Sequence, residues 1–249
     1  MAVNEVNRPP ALETSPALCT IGESCTDGCP TSHRETIHSA PDAPQGDSSS
    51  PDLSWMRYEP HKYSELLQQK TAVIRNLFGS TLLPDHVPFH VYASAPSHFR
   101  QRARFAIARF PPSNALRYAL FNRGAPSVAV DTFPIASRSI CDKMPVLMEK
   151  LNLNSALSAG IAAVHFLSTQ SGELLISLIY SAPLAPDWET EAAALRCELG
   201  LTAIVGRAKA TRVVIERDWV TERLRLADGR ELLYRQVEGS FSNPSAAMC

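Results

Sequence analysis

The sequence predicts an α+β fold: antiparallel sheet hairpins with packed helices, preceded by a disordered tail. Three observations carry this. Ile161–Ser168 and Glu173–Ser181 are apolar runs separated only by Thr169-Gln170-Ser171-Gly172, the pattern of a hairpin. Arg102–Phe110 alternates, with Ala103, Phe105 and Ile107 on one side and Arg102 and Arg104 on the other, the period of a half-buried strand. Strands and helices then follow in irregular order, without the strand–helix alternation of a doubly wound sheet.

Residues 1–56 are predicted to be an acidic, disordered tail. They are rich in Pro, Ser, Thr, Asp and Glu, and Ala40–Ser54 has the composition of a linker. The first 50 residues hold two basic and seven acidic side chains, leaving 22 basic against 18 acidic in the remainder, so a net charge of −1 hides a mildly basic domain. Order is expected from near Tyr58. Pro60 suits a first helical position, Tyr63, Leu66, Leu67, Ile74, Leu77 and Phe78 recur at helical spacing, and Gly79 ends the helix. Phe89–Ala93 reads as a short strand. Pro111–Asn114 reads as a turn, with Leu116–Phe121 and Val128–Asp131 as further strands. Ser137–Leu151 and Asp187–Leu199 read as helices, the second closed by Gly200. Ala203–Gly206 and Arg212–Glu216 read as strands, and Leu224–Leu226 and Glu231–Tyr234 flank the turn signal Asp228-Gly229.

The longest apolar runs are too short to span a bilayer, so no membrane partner is expected. Dinucleotide, phosphate-loop, zinc-protease and nucleophile-elbow motifs are missing, and no catalytic residue is assigned. Cys19, Cys25 and Cys29 have the spacing C-x5-C-x3-C, which either supplies part of a metal or iron–sulfur site or has no role; no partner pair follows, so the second reading is preferred. Cys141 and Cys197 lie on predicted helices and read as structural thiols.

One stretch concentrates basic and aromatic groups: Ser97-His98-Phe99-Arg100-Gln101-Arg102-Ala103-Arg104-Phe105. Arg100, Arg102 and Arg104 at period two share a strand face. Guanidinium groups so placed repel unless anions lie between them, and their planar fork suits phosphate. His98 and Phe99 suit stacking on an unpaired base. The competing reading is a solvated face paired with neighbouring carboxylates. A second cluster, Arg207, Lys209 and Arg212, reads as a solvated face.

Ser97–Phe105, Val130–Ser137, Leu178-Ile179-Tyr180, Asp187-Trp188, Ile204–Arg207 and above all Tyr234–Phe241 with Asn243–Met248 resemble, in order, the amino-terminal half of tRNA (uracil-5-)-methyltransferases. The resemblance covers roughly residues 58–249. It implies methylation of uracil C5 in the T-loop of tRNA with S-adenosylmethionine. In that chemistry a cysteine adds to C6 so that C5 becomes nucleophilic, and a carboxylate then takes the C5 proton. It further implies an RNA-recognition domain over residues 57–236, with His98, Phe99, Arg100, Arg102 and Arg104 on the RNA. Residues 237–249 are then the stub of a Rossmann-like methyltransferase domain, with Asn243 as a cofactor contact. The cofactor loop, nucleophile and base would lie past Cys249, so the chain alone is expected to be truncated and inactive and to bind S-adenosylmethionine poorly; the alternative reading is a stand-alone RNA-binding module or regulator. The T-arm is the expected partner, DNA is not, and the cytoplasm is the expected compartment. The sequence departs from the family at Asn243, where glutamine is usual, at Arg104, where an acid is common, at Ala106 in place of arginine, and at Ser181 in place of histidine.

Overall fold

The computed structural model describes residues 58–82, 87–122, 125–209 and 211–245. The tail, Cys19, Cys25, Cys29 and Cys249 lie outside them. A mixed α/β architecture is built on one seven-stranded sheet of order β3-β2-β1-β4-β5-β6-β7, with a separate β8–β9 hairpin. The strands are β1 (Arg102–Phe110), β2 (Ala115–Asn122), β3 (Ala125–Val130), β4 (Ile161–Ser168), β5 (Leu174–Tyr180), β6 (Ala203–Ala208), β7 (Thr211–Ile215), β8 (Trp219–Arg225) and β9 (Glu231–Val237). Helices α1 (Tyr63–Leu82), α2 (Arg138–Leu153), α3 (Ser155–Ser158) and α4 (Trp188–Leu199) complete it. Neighbouring strands are antiparallel except β5 and β6, which run parallel because α4 crosses over between them.

The alternation in β1 sorts its residues as its pattern dictates. Ala103, Phe105 and Ile107 are buried against α2, while Arg102 and Arg104 point to the other face. Phe105 sits in an aromatic cluster, 5.3 Å from Tyr118 and 5.1 Å from Phe133 in an edge-on pair. Burial of such a ring contributes about 2–3 kcal/mol. Ile140, Met144, Leu147 and Leu151 of α2 complete this layer. Ser137 caps α2 by accepting from Ile140 N, and its hydroxyl also meets Ser168 Oγ at 2.8 Å, which ties the helix start to β4.

The crossover is fixed by Trp188. Its Nε1 donates to Tyr180 Oη at 2.7 Å, and Tyr180 donates to Leu157 O. The ring lies over Gly206 so closely that a Cβ there would come within 2.5 Å of it, which explains a glycine inside β6. On the opposite face, Val220 of β8 packs on Leu167, Leu175, Ala203 and Val205. Glu222 anchors the hairpin by accepting from Gln170 N and Arg223 N, and Glu173 accepts from Thr221 N at 2.7 Å.

Two expectations are corrected. Phe89–Ala93 forms no strand: it belongs to neither described sheet and runs beside α1, where Ser94 N donates to Tyr63 Oη and Arg75 lies over the Phe89 ring. Gly79 kinks α1 (φ 62°, ψ 177°) and helical structure resumes to Leu82. Among the described residues no helix is long and apolar enough to cross a membrane.

Candidate functional site

Residues 98–101 are threaded between two segments. His98 N donates to Pro134 O and Arg100 N to Ile135 O, both at 2.9 Å, and Ser137 N donates to Arg100 O at 2.7 Å. From the other side, Gln101 N donates to Pro244 O at 2.6 Å. The short bridges Arg100–Ala136 and Arg100–Ser245 therefore bring the loop before α2, the entry to β1 and the segment after β9 to one place.

Between them lies a cleft of about 610 Å3. Arg100, Arg102 and Arg104 all line it, opposite Thr132 and Phe133, with Tyr58 and Phe241 among its walls. Among the described residues none of the three guanidinium groups is in an ion pair. Arg100 Nε donates to Arg102 O at 2.8 Å and Arg102 donates to Ser240 O at 3.0 Å, while Arg104 is exposed. Partial burial, then the neighbouring charge of Arg104, pulls Arg102 below the usual range of a guanidinium, with Glu238 opposing. Three cations in one concavity, without a paired carboxylate among the described residues, can hold anions, and the volume exceeds that of a single ion.

The other expected residues are placed differently. His98 has a left-handed backbone (φ 57°), and its Nδ1 meets Ala136 O at 2.9 Å, so the ring braces the loop. Phe99 stacks edge-on against Tyr58 at 6.3 Å. Neither is among the residues that line the cleft. Asn243 Oδ1 accepts from Ser245 N at 3.1 Å. Cys141 donates to Phe133 O and Ala136 O at 3.3 Å, and burial, with Asp142 nearby, pushes its thiol up, which suits a structural role.

Two residues were not singled out by sequence reasoning. His165 of β4 sits directly across from Arg104, and a narrow crevice between them continues toward Ser177 and Glu238. Burial, then Arg104, lowers its pKa to about 4, so the ring is neutral at physiological pH. Because the folded value lies below the usual 6.5, the folded state resists protonation, and stability falls as pH drops from about 6.5 through about 4. For a half-buried, solvent-screened ring this amounts to about 1 kcal/mol. Proton NMR should report a His165 midpoint near 4 in the free protein and a higher one with inorganic phosphate present; a midpoint near 6.5 in both would contradict this placement.

Glu238 is the second. Its carboxylate is 5% exposed, pairs with Arg207, accepts from Ser177 Oγ at 3.0 Å and lies 3.5 Å from Arg212, which also holds Asp218. The cluster read as a solvated face is therefore largely an ion-pair network that pins the chain after β9 to the sheet. Its sequence signal was a lone acid two residues after Gln236 in the run Tyr234–Phe241.

Residues 62–249 match the family described as tRNA (Uracil-5-)-methyltransferase. The tRNA/tmRNA (uracil-C(5))-methyltransferase of Azoarcus sp. (strain BH72) is 39% identical over 198 residues, which are 79% of this chain and 52% of that protein. That of Dechloromonas aromatica (strain RCB) is 38% identical over 193 residues, 77% of this chain and 51% of that protein. The chain thus spans about half the length of the curated relatives it matches. In fold it resembles the Pyrococcus abyssi tRNA (uracil-54, C5)-methyltransferase solved with S-adenosyl-L-homocysteine, at TM-score 0.52 and 13% identity over 75% of this chain and 45% of that one.

Proposed function

Because this chain belongs to the tRNA (uracil-5-)-methyltransferase family, we propose that it is the tRNA-recognition portion of an enzyme that methylates uracil C5 in the T-loop with S-adenosylmethionine. The observation that carries the reading is the cleft lined by Arg100, Arg102 and Arg104 without carboxylate partners among the described residues. Each planar fork offers two parallel donors to a phosphate, and bound phosphates would relieve the repulsion among the three. His98 and Phe99 serve this site by holding the entry to β1 against the loop at 134–136. The T-arm is the partner and the cytoplasm the compartment in this reading.

Asn243, the expected cofactor contact, accepts from Ser245 N through its Oδ1 at 3.1 Å. No step of methyl transfer is assigned to the described residues. What this chain contributes is binding and orientation: it would hold the arm in register so that the target base can leave its stack.

A T-arm hairpin should bind the 249-residue chain with an affinity that falls as salt rises. Three neutralised phosphates correspond to a log–log slope of about −2 to −3. Fluorescence anisotropy across a potassium chloride series measures it, and no binding at low salt would end the proposal. In the same samples, labelled S-adenosylmethionine should leave no methyl group on the RNA; measurable transfer would overturn the expectation of an inactive chain.

A further inference from the structure

Helix α1 carries an apolar surface wider than its own chain covers. Residues Tyr63, Leu67, Thr71 and Ile74 are half-buried, on the side that meets the segment at 87–94. There Tyr63 Oη meets Ser94 Oγ at 3.1 Å, and the Arg75 guanidinium lies 4.7 Å from the centre of the Phe89 ring. Beside that strip runs a second one, Leu66, Val73 and Leu77, at the i, i+7, i+11 spacing of a single helix face. These side chains are 49%, 64% and 75% exposed. Phe78, Val91 and Tyr92 are exposed as well. A helix gains its stability in water chiefly by burying an apolar face, so a stripe left open marks a contact surface.

Two facts say what covers it. The family match begins at residue 62, so α1 belongs to what the relatives share and not to the tail. The relatives are about twice as long as the part they share with this chain, so each possesses a second body of protein of similar size. Apart from Lys70, which falls between Leu66 and Val73 at i+4, the stripe is aliphatic, and three exposed aliphatic side chains to one cation suit a protein surface better than a phosphate backbone. Moreover Tyr58, five residues before α1, lines the same cleft as Phe241, which is 93% exposed.

We infer that the Leu66–Val73–Leu77 stripe docks against a protein module equivalent to the half of the relatives' length that this chain does not span, with Phe241 as a second anchor beside the cleft. The docking aligns the module with the arginine cleft, so that what the cleft binds is presented to it. The inference rests on the family membership and on the exposed stripe, and it is independent of RNA binding by the arginines.

Hydrogen exchange tests it. The amides of α1 should exchange rapidly in the 249-residue chain. They should exchange at least about tenfold more slowly when the chain is fused to the remaining half of the Azoarcus protein, and in the matching helix of the intact Azoarcus protein. Leu66→Glu with Val73→Glu and Leu77→Glu should restore rapid exchange in the fusion, as should the same changes in the Azoarcus helix. Equal, rapid exchange in the chain and in the intact Azoarcus protein would overturn the inference, whether or not the fusion folds. For the chain alone, the triple variant should stay monomeric by sedimentation and keep its unfolding midpoint within about 2 °C. A dimer of the unaltered chain that the substitutions abolish would identify a second copy as the occupant and also overturn it. T-arm affinity of the triple variant should be unchanged, so a failure of RNA recognition is read separately.

Discussion

Replacing Arg100, Arg102 and Arg104 together by glutamine is expected to lower affinity for a T-arm hairpin on the order of 100-fold at about 50 mM salt, and to flatten the salt dependence by about two to three in log–log slope. The three side chains line one cleft and none is in an ion pair among the described residues, so their charge is uncommitted. Glutamine keeps much of the length and hydrogen-bonding reach, so the loss would report charge. Lysine at Arg102 separates charge from geometry: it preserves the salt slope but loses the fork that reaches Ser240 O, and its affinity should fall only several-fold. Lys150→Gln is the control. That lysine pairs with Glu198 on the helical side of the sheet, away from the arginine face, and its loss should leave binding unchanged. An unchanged slope in the triple variant would place RNA recognition elsewhere.

Glu238→Ala should cost about 3 kcal/mol of stability, lowering the urea midpoint with little change in slope. The substitution removes the acceptor of the Ser177 hydroxyl and the partner of Arg207 at once. Glu238→Gln keeps the shape and one acceptor, and should cost about half as much. The pH dependence has a definite sign. Burial alone would raise this carboxyl, but the hydrogen bonds from Arg207 and Ser177 and the charges of Arg207 and Arg212 outweigh it, and the net shift is downward. The contribution is therefore fully present above the usual 4.5 and is lost as pH falls through the lower folded value. Urea midpoints of wild type and Glu238→Ala should converge below about pH 4.5; a gap that stays constant into acid would mean that packing, not charge, is what the substitution removes.

Much of the fold was legible because its signals are local. The β4–β5 hairpin, the alternation in β1 and the helix closed by Gly200 each follow from a few adjacent residues, and β1 has the predicted bounds. The parallel pairing of β5 with β6 was not legible, since it depends on a helix packing across the sheet and on Gly206 making room for Trp188. The cleft was half legible. Period two put Arg102 and Arg104 on one face, but the walls supplied by Tyr58, Phe133 and Phe241 come together only through long-range pairing. His98 illustrates the limit: a ring in a basic aromatic run suggests base stacking, whereas its left-handed backbone and its contact to Ala136 O spend it on the loop. The exposed half of α1 was illegible because helical spacing does not say which part of an apolar face the chain itself will cover.

The pairing of β1 with β4 has a consequence for the chain while it is being made. Arg102 lies beside Leu167 and Ala106 beside Ala163, so β1–β3 leave the ribosome well before the strand that closes their inner edge. For that interval β1 is an open edge of the sequence RARFAIARF, apolar and rich in β-formers at its centre. Such edges recruit other chains unless charge keeps them apart. Arg102, Arg104 and Arg109 punctuate this one, so two of the guanidinium groups that later line the cleft, together with Arg109, would act first as gatekeepers against aggregation. Variants neutralised there should thus yield less soluble protein when expressed, even where the folded product is as stable as the original.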